Sequence, residues 1–246
     1  MSLIKVRPMT ADQADTDFMQ LMQGFPPAKK YQVLLANWRE PGIARWAFNH
    51  LRQLLPTSPM AAAEQPIAIP EARLDLGSLS FQGPDGKCQQ LDRFLRSSET
   101  DCFAVMKDGK LVYDWFGGFG GPTRQHIVFS VTKSMAALLA GVLVGQGRLD
   151  PSGLITRYLP ELENSAYNGA SVRNLLDMQV ASGFNEDYLD TTGIFMAYRR
   201  AAAWNPVEEG VRNDGLRAFL ARLPASDGRH GEKHHYCSPH SDVLGW

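Results

Sequence analysis

The sequence predicts an α+β fold, in which strands and helices occupy separate stretches of the chain. A β-hairpin pattern covers residues 102–116, where two apolar runs flank Asp108-Gly109. Helical patterning takes over from Ser130 onwards, with polar cap residues before successive apolar segments. The chain has 246 residues, 44% hydrophobic and 21% charged, which is typical of a globular protein with a sizeable core.

The first 95 residues show little sign of a packed core of their own. Prolines such as Pro26, Pro56 and Pro70 interrupt them, and no apolar periodicity is sustained. One helix is predicted near residues 43–55, because three apolar side chains share one helical face: Trp46, Leu51 and Leu54. Residues 1–95 are therefore predicted to form an N-terminal arm with one helix, which wraps over another surface.

The predicted hairpin contains Asp108-Gly109 between its strands, a pair that favours a type I′ turn. Its strands have few polar positions, so we expect both faces to be covered. The glycine-rich stretch 117–122 that follows lacks the Gly-Lys-Ser/Thr sequence of a phosphate-binding loop. It is therefore interpreted as a connector.

Residues 131–146 are apolar nearly all round, which predicts a buried central helix that ends at Gly147. Ser130 opens this helix and Lys133 follows three residues later, so both side chains lie on one helical face. Serine becomes a nucleophile when a neighbouring base removes its proton, and a desolvated lysine can be that base. The helix N-terminus would also favour a developing oxyanion.

Further helices are predicted towards the end of the chain. Ser171 is interpreted as the cap of a helix over residues 172–179, and another amphipathic helix follows Asp214. Ser238, which precedes a proline, is interpreted as the N-cap of a last helix. The apolar pattern of that helix has only begun at Trp246, so we expect the chain to be a truncated form.

Structural roles for the polar residues stay open when the residues are considered alone. Ser130 could serve only as an N-cap, and Lys133 could extend to solvent. A histidine-rich segment over residues 230–240 also invites a zinc hypothesis, through His234, Cys237 and His240. Because Pro239 interrupts a regular helix there and no other zinc motif supports it, we predict no metal and no cofactor.

Four separated segments resemble the β-lactamase-related serine hydrolases, and within them the amidase branch that acts on nylon oligomers. Their order and spacing, from about residue 37 to the end of the chain, are more specific than Ser-x-x-Lys. The N-terminal segment is Asn37-Trp-Arg-Glu-Pro with Arg45-Trp-Ala-Phe48, and the nucleophile segment is Phe129-Ser-Val-Thr-Lys-Ser134. The other two are Asn185-Glu-Asp-Tyr-Leu-Asp190 and Tyr236-Cys-Ser238 with Asp242-Val-Leu244.

The resemblance implies a role for each matching residue. Ser130 would form the acyl-enzyme, Lys133 would accept its proton, and Tyr236 would relay a proton to the leaving group. Tyr188 and Ser238 would bind substrate, with Ser238 standing where many relatives have asparagine. Without the resemblance, Tyr236 could equally be a core aromatic residue and Tyr188 an exposed loop residue.

The resemblance also implies a β-lactamase/transpeptidase-like fold, an antiparallel sheet flanked by helices plus a mostly helical domain. Residues 96–246 would then be an incomplete catalytic domain, comprising the hairpin 102–116, the nucleophile helix 130–146 and the helical region 150–246. The C-terminal strands of the sheet would be missing, together with part of the oxyanion hole. We therefore expect the chain alone to be weakly active or inactive and prone to self-association, for example as a homodimer.

The expected activity is cleavage of amide or ester bonds in small linear substrates. β-Lactamase or D,D-peptidase activity and a non-catalytic fragment are the alternatives. A net charge of −1 gives no reason to expect nucleic acid or a membrane surface as a partner. Three cysteines imply no disulfide framework, and residues 1–17 lack a secretory signal, so a soluble, cytoplasmic protein is predicted.

Overall fold

The computed structural model describes residues 20–246. Contacts divide the chain into two compact units, and the division falls between Ile127 and Val128. We call the described residues on either side the N-terminal unit and the C-terminal unit. Residues 1–17, on which the absence of a secretory signal was judged, lie outside the described residues. The predicted boundary between arm and catalytic domain, at residues 95/96, stays a prediction.

The predicted arm helix is present but shorter than expected. Helix α1 covers Ala44–Asn49, and a separate 3-10 helix covers Leu51–Gln53. The two are separated at His50, whose ring stacks on Trp46 with the ring centroids 4.1 Å apart. The His50 Nδ1 also lies 2.7 Å from the Trp46 carbonyl oxygen, so the side chain provides a hydrogen-bond partner for a carbonyl group at the helix end.

Local structure between the arm helix and the hairpin was not predicted. Strands β1, Ser80–Gln82, and β2, Cys88–Gln90, pair antiparallel, and helix α2 follows directly over Leu91–Ser97. Phe81 and Phe94 meet edge to face at 5.5 Å between ring centroids. This contact joins α2 to the small sheet, so residues predicted to be irregular form a short packed element.

The hairpin is confirmed as predicted in position and turn type. Strand β3, Cys102–Lys107, pairs antiparallel with β4, Lys110–Phe116. The two turn residues, Asp108 and Gly109, have φ values of 51° and 72°, the left-handed pair that a type I′ turn requires. The expectation that both faces are covered is wrong. The side chains of Val112 and Trp115 in β4 are buried, whereas those of Met106 and Phe116 are exposed to solvent.

Asp101 organises the polar centre of the N-terminal unit. Its buried carboxylate accepts hydrogen bonds from Arg45 Nε at 2.7 Å and from Asn49 Nδ2 at 2.9 Å, and lies 3.3 Å from His126 Nε2. A Cβ at Gly120 would stand 1.8 Å from the Asp101 carbonyl oxygen. The glycine-rich loop is therefore a close-packed connector around Asp101.

The C-terminal unit is mainly helical. Its helices are α3 over Val131–Gly145, α4 over Ile155–Tyr158, α5 over Val172–Leu176, α6 over Ile194–Ala201, α7 over Gly215–Ala221 and α8 over Ser238–Gly245. A contiguous apolar core joins the helices from α4 to α8, and its fully buried members include Tyr167, Phe184, Leu162, Leu220 and Leu223. This core supports α8, which begins at the predicted site residue Ser238.

Helix α3 departs from the prediction of a helix buried on all sides. It ends as predicted, with Gly147 in the left-handed region at φ 69°. Only Ala140 is buried in it, and apolar side chains on the remaining surface are more than half exposed: Val131, Met135, Leu138, Leu139 and Val142. The prediction failed because an apolar composition shows only that a helix can be buried on all sides. In the described residues, other elements pack against one side of α3.

An apolar groove of about 350 Å³ lies beside α3 in the C-terminal unit. Its lining comes from α3, α4, α5 and α8, and includes Leu139, Leu143, Ile155, Leu175 and Trp246.

Among residues 20–246, no helix combines the length and apolar character that crossing a bilayer demands.

Two predicted helix caps have different outcomes. Ser171 caps α5 as predicted, in a capping box with Asn174, although the helix ends at Leu176 and not near residue 179. Ser238 is not an N-cap, because Cys237 holds that position and Ser238 is the first helical residue. The Ser238 amide and hydroxyl both donate to Glu186 instead, so a carboxylate from another segment satisfies the start of α8.

Candidate active site

Ser130 stands at the N-cap position of α3 without acting as a side-chain cap. Its backbone is helical, with φ −69° and ψ −8°, and its hydroxyl makes no hydrogen bond to the first-turn amides. The residue before it, Phe129, has a positive φ of 40°. A bulky residue in that region costs on the order of 1–3 kcal/mol, and such strain concentrates at functional sites. The purely structural interpretation of Ser130 as a cap is therefore excluded.

The structure brings Ser130, Lys133 and Tyr236 together. Lys133 Nζ lies 2.9 Å from Ser130 Oγ, within hydrogen-bond distance. The Tyr236 hydroxyl donates to the same oxygen at 2.6 Å, across 106 residues of sequence. Lys133 Nζ also lies 5.3 Å from the centre of the Tyr236 ring. Each of the two neighbours is close enough to exchange a proton with Ser130, which is the geometry general acid–base chemistry needs.

The three side chains are accessible from solvent. Ser130 is exposed, Lys133 is half-buried, and Tyr236 is 39% exposed. A small molecule can therefore reach the Ser130 oxygen directly. The alternative in which Tyr236 is a core aromatic residue does not fit this exposure.

Tyr188 and Ser238 form a second cluster around a residue that sequence reasoning did not select, Glu186. The Tyr188 hydroxyl donates to Glu186 Oε1 at 2.6 Å, and the Ser238 hydroxyl donates to the same oxygen at 2.8 Å. The Ser238 amide donates to Glu186 Oε2 at 2.7 Å. Burial, followed by the hydrogen bond and the charge of Glu186, raises the pKa of Tyr188, so its hydroxyl stays protonated.

The segment Tyr236-Cys237-Ser238 links the two clusters. Tyr236 contacts the nucleophile and Ser238 contacts Glu186, while the side chain of Cys237 is fully buried between them. Burial raises the pKa of the Cys237 thiol to about 12, so it is a neutral packing group. A buried anchor between two polar residues fixes the directions in which they point.

Asp242, which the family resemblance included without a role, forms a second acid–tyrosine pair with Tyr198, a residue that sequence reasoning missed. The Tyr198 hydroxyl donates to Asp242 Oδ2 at 2.7 Å. Burial raises the pKa of Asp242, while the Tyr198 hydrogen bond and the positive charge of Lys133 oppose that shift. Asp242 lies four residues after Ser238 on α8, so both side chains lie on one helical face. This spacing could have indicated that Asp242 belongs to the site.

The histidine-rich segment forms no metal site among the described residues. Within residues 20–246, no three histidine, cysteine, aspartate or glutamate side chains converge as a metal would need. His230 and His235 instead bond to the backbone, at the Ala181 amide and the Phe184 carbonyl. His240 is fully buried beside Tyr167.

The predicted site residues thus fall into two groups in one unit: Ser130 with Lys133 and Tyr236, and Tyr188 with Ser238 around Glu186. Their arrangement is observed, whereas their roles as nucleophile, base, relay and substrate ligands stay predictions. The nucleophile group matches what a serine hydrolase requires, a hydroxyl held by two proton-exchanging neighbours.

The profile of the beta-lactamase family matches residues 96–246, and the chain belongs to this family. The resemblance to β-lactamase-related serine hydrolases and the predicted α+β fold are thereby confirmed. The chain is 35% identical over 223 residues to the 6-aminohexanoate-dimer hydrolase of Paenarthrobacter ureafaciens. This match covers 90% of the chain and 54% of that protein.

One solved structure supports the fold. A Bacillus anthracis protein, assigned provisionally as a 6-aminohexanoate-dimer hydrolase, superposes with a TM-score of 0.77 at 22% identity. The superposition covers 89% of this chain and 57% of that one. A class C β-lactamase matches more weakly, with a TM-score of 0.42 at 19% identity over 63% of this chain and 40% of that one. The chain spans about half the length of the relatives that it matches.

Proposed function

We propose that the protein is a serine hydrolase that cleaves amide or ester bonds of small linear substrates through an acyl-enzyme on Ser130. The observation that carries the proposal is the pair of short contacts at Ser130 Oγ, 2.9 Å to Lys133 Nζ and 2.6 Å to the Tyr236 hydroxyl. The family membership and the curated amidase relative support the same reaction class.

Acylation starts when Ser130 Oγ attacks the substrate carbonyl carbon. Lys133, in its neutral form, accepts the Ser130 proton as the new carbon–oxygen bond forms. The tetrahedral intermediate then collapses, and the bond from carbon to the leaving nitrogen or oxygen breaks. Tyr236 passes its proton to that leaving atom and regains one from Lys133. Water then attacks the acyl-enzyme, so the acid is released and Ser130 recovers its proton.

The oxyanion has one candidate donor in the described site. The first-turn amides of Val131, Thr132 and Lys133 are not available, because they donate to carbonyl oxygens three residues earlier at 3.0–3.1 Å. This corrects the expectation that the helix N-terminus as a whole would serve. The Ser130 amide makes no hydrogen bond to residues 20–246, so it can donate to the developing oxyanion.

Substrate selection within this class rests on Tyr188 and Ser238, the second cluster. The curated relative is named for an amide dimer, which favours linear amides over β-lactams for this site as well. Tyr188 is 61% exposed, so it can contact a bound substrate.

Release of p-nitrophenolate from p-nitrophenyl butyrate tests the proposal. We expect the wild-type chain to release it faster than Ser130→Ala, with a first phase stoichiometric with enzyme if deacylation is slow. Ser134→Ala, which changes an exposed serine on the same helix, is the matched control. Equal release by the wild type and Ser130→Ala would reject the proposed function and leave a non-catalytic protein.

A further inference from the structure

The segment that carries Tyr236 is anchored on its N-terminal side by His235. The His235 amide donates to the Met178 carbonyl oxygen at 2.7 Å. The His235 ring Nε2 lies 2.9 Å from the Phe184 carbonyl oxygen, which can only accept, so the ring donates to it. Phe184 is buried in the apolar core of the unit, so this anchor is firm. The backbone that leads into Tyr236 is therefore fixed.

On the C-terminal side of Tyr236 the anchor is the side chain of Glu186. One carboxylate oxygen accepts the Ser238 amide proton at 2.7 Å, and the other accepts the Ser238 hydroxyl proton at 2.8 Å. Two charge-assisted hydrogen bonds between the same two residues fix direction as well as distance. The buried neighbours Cys237 and Pro239 restrict Ser238 further. Glu186 thus holds the segment two residues after Tyr236.

Helix α8 depends on Glu186 because its own sequence supplies no cap. Cys237, at the N-cap position, makes no side-chain hydrogen bond to the first turn, and Pro239 has no amide proton to donate. The Ser238 amide is one of the unsatisfied donors that every helix start presents. Glu186 accepts it from another segment, and a negative charge is favourable at the N-terminal end of a helix. Glu186 is therefore a remote cap of α8.

The contact between Tyr236 and the nucleophile depends on where α8 begins. The Tyr236 hydroxyl lies 2.6 Å from Ser130 Oγ, and Ser130 belongs to the start of a different helix, α3. The Tyr236 side chain is 39% exposed, so packing around its ring does not fix it completely. Proton transfer requires close alignment, and a misplacement of about 1 Å can slow a reaction by about 10²-fold.

We propose that Glu186 is a positioning residue that holds Tyr236 in place for proton transfer to the leaving group, through its two hydrogen bonds to Ser238. The proposal rests on the proposed function, because it assumes that Tyr236 supplies this proton. Glu186 does not touch the reacting atoms. It acts through the backbone that joins Ser238 to Tyr236.

Two substitutions of Glu186 separate the loss of the hydrogen bonds from the loss of charge. Glu186→Ala removes both acceptors of Ser238. Glu186→Gln keeps the shape, since its carbonyl oxygen can accept from the Ser238 amide while its NH₂ donates to the Ser238 hydroxyl. The matched control is Asp187→Ala, which removes the next carboxylate of the same loop. Among the described residues Asp187 accepts from the Leu189 amide at 2.9 Å and makes no hydrogen bond to α8.

The measurement is kcat/KM of the full chain for phenyl butyrate and p-nitrophenyl butyrate, two esters with the same acyl group, followed by acid release. p-Nitrophenolate departs without a proton, whereas the more basic phenolate needs one from Tyr236. We expect Glu186→Ala to lower the ratio of the phenyl to the p-nitrophenyl value by about tenfold. Glu186→Gln and Asp187→Ala should keep this ratio within about twofold of the wild type.

A double-mutant cycle shows whether Glu186 acts through Tyr236. Tyr236→Phe removes the proton donor, and we expect it to lower the same ratio by about 10²-fold. Once the hydroxyl is absent its position no longer matters, so adding Glu186→Ala to Tyr236→Phe should change the ratio by less than about twofold. A residue that only stabilised the fold would reduce the activity on both esters alike and leave the ratio unchanged.

Four results would overturn the proposal: an unchanged ratio in Glu186→Ala, an equal fall in Asp187→Ala, a Glu186→Gln variant as impaired as Glu186→Ala, or additive losses in the double mutant. If Glu186→Ala does not fold, Ser238→Ala removes one of the two hydrogen bonds and must lower the same ratio. Failure of the proposed function itself is distinct. It would appear as no Ser130-dependent release from p-nitrophenyl butyrate by the wild-type chain, and this proposal would fall with it.

Discussion

Two side chains contact the hydroxyl oxygen of the nucleophile at the centre of the site. Replacing either one should have its own effect on the reaction rate. In Lys133→Met the Ser130 proton loses its acceptor, so we expect acylation by p-nitrophenyl butyrate to slow by roughly 10²–10³-fold. The burst rate of p-nitrophenolate release measures this change. The control is Lys233→Met, which alters an exposed lysine that contacts neither Ser130 nor Tyr236. An undiminished burst in Lys133→Met would remove lysine from the mechanism.

His240 makes folding stability depend on pH. Burial lowers the pKa of His240 from 6.5 to about 4 in the folded protein. Between these values the unfolded chain binds a proton that the folded chain does not, so stability is full above pH 6.5 and falls as pH drops towards 4. The loss from this group is on the order of 3 kcal/mol.

The pH effect is checked by urea denaturation of His240→Gln across this range. We expect a flatter dependence of the unfolding free energy on pH between 6.5 and 4 than in the wild type. His234→Gln, at an exposed histidine, should keep the wild-type slope. If His240→Gln retains that slope, other groups are responsible for it.

At the scale of elements, the capping box of α5 offers a clean test of local stability. Ser171→Ala removes the hydroxyl that accepts from the Asn174 amide at 3.2 Å. We expect the unfolding free energy to fall by about 1 kcal/mol, as for other N-caps. Ser152→Ala, at an exposed serine, is the control, and equal midpoints for the two variants in urea would show that the cap contributes nothing.

The elements that the sequence predicted well have signals confined to a few neighbouring residues. Asp108-Gly109 fixes the hairpin turn, and Gly147 ends α3, because both depend on local backbone conformation. The strands β1 and β2 and helix α2 were missed because they are short and depend on tertiary contacts such as that of Phe81 with Phe94. Helix α3 was predicted correctly in extent and wrongly in burial, since burial depends on what packs against it.

The residues of the site also divide into those that have a local sequence signal and those that have none. Ser130 and Lys133 are three residues apart, so helical geometry alone indicates their contact. Tyr236 was assigned through the family resemblance, because nothing local links it to a serine 106 residues away. Glu186 was passed over since an acidic residue in a polar loop gives no sign of its partners. Only the fold shows that it meets the first turn of α8.

For the whole molecule, the exposed apolar surface of α3 is the feature with the largest consequence. Contiguous exposed apolar surface favours association, so we expect the chain to form oligomers in a concentration-dependent way. Leu138→Glu, at a position 67% exposed, should reduce association while changing stability by about 0.5 kcal/mol or less.

Light scattering coupled to size-exclusion chromatography measures that association. Gln146→Glu adds the same charge at an exposed polar position near the end of α3 and should leave the oligomeric state unchanged. A monomeric wild-type chain at every concentration would contradict the expected self-association, including the predicted homodimer.

The central claim is that Ser130 carries the acyl group, and intact mass measurement tests it most directly. The chain is incubated with p-nitrophenyl butyrate, quenched in acid and weighed beside Ser130→Ala. The account predicts one added butyryl mass on the wild type, located by peptide mapping to Ser130, and none on the mutant. A folded wild-type chain that gains no mass, or an adduct that persists in Ser130→Ala, would contradict it.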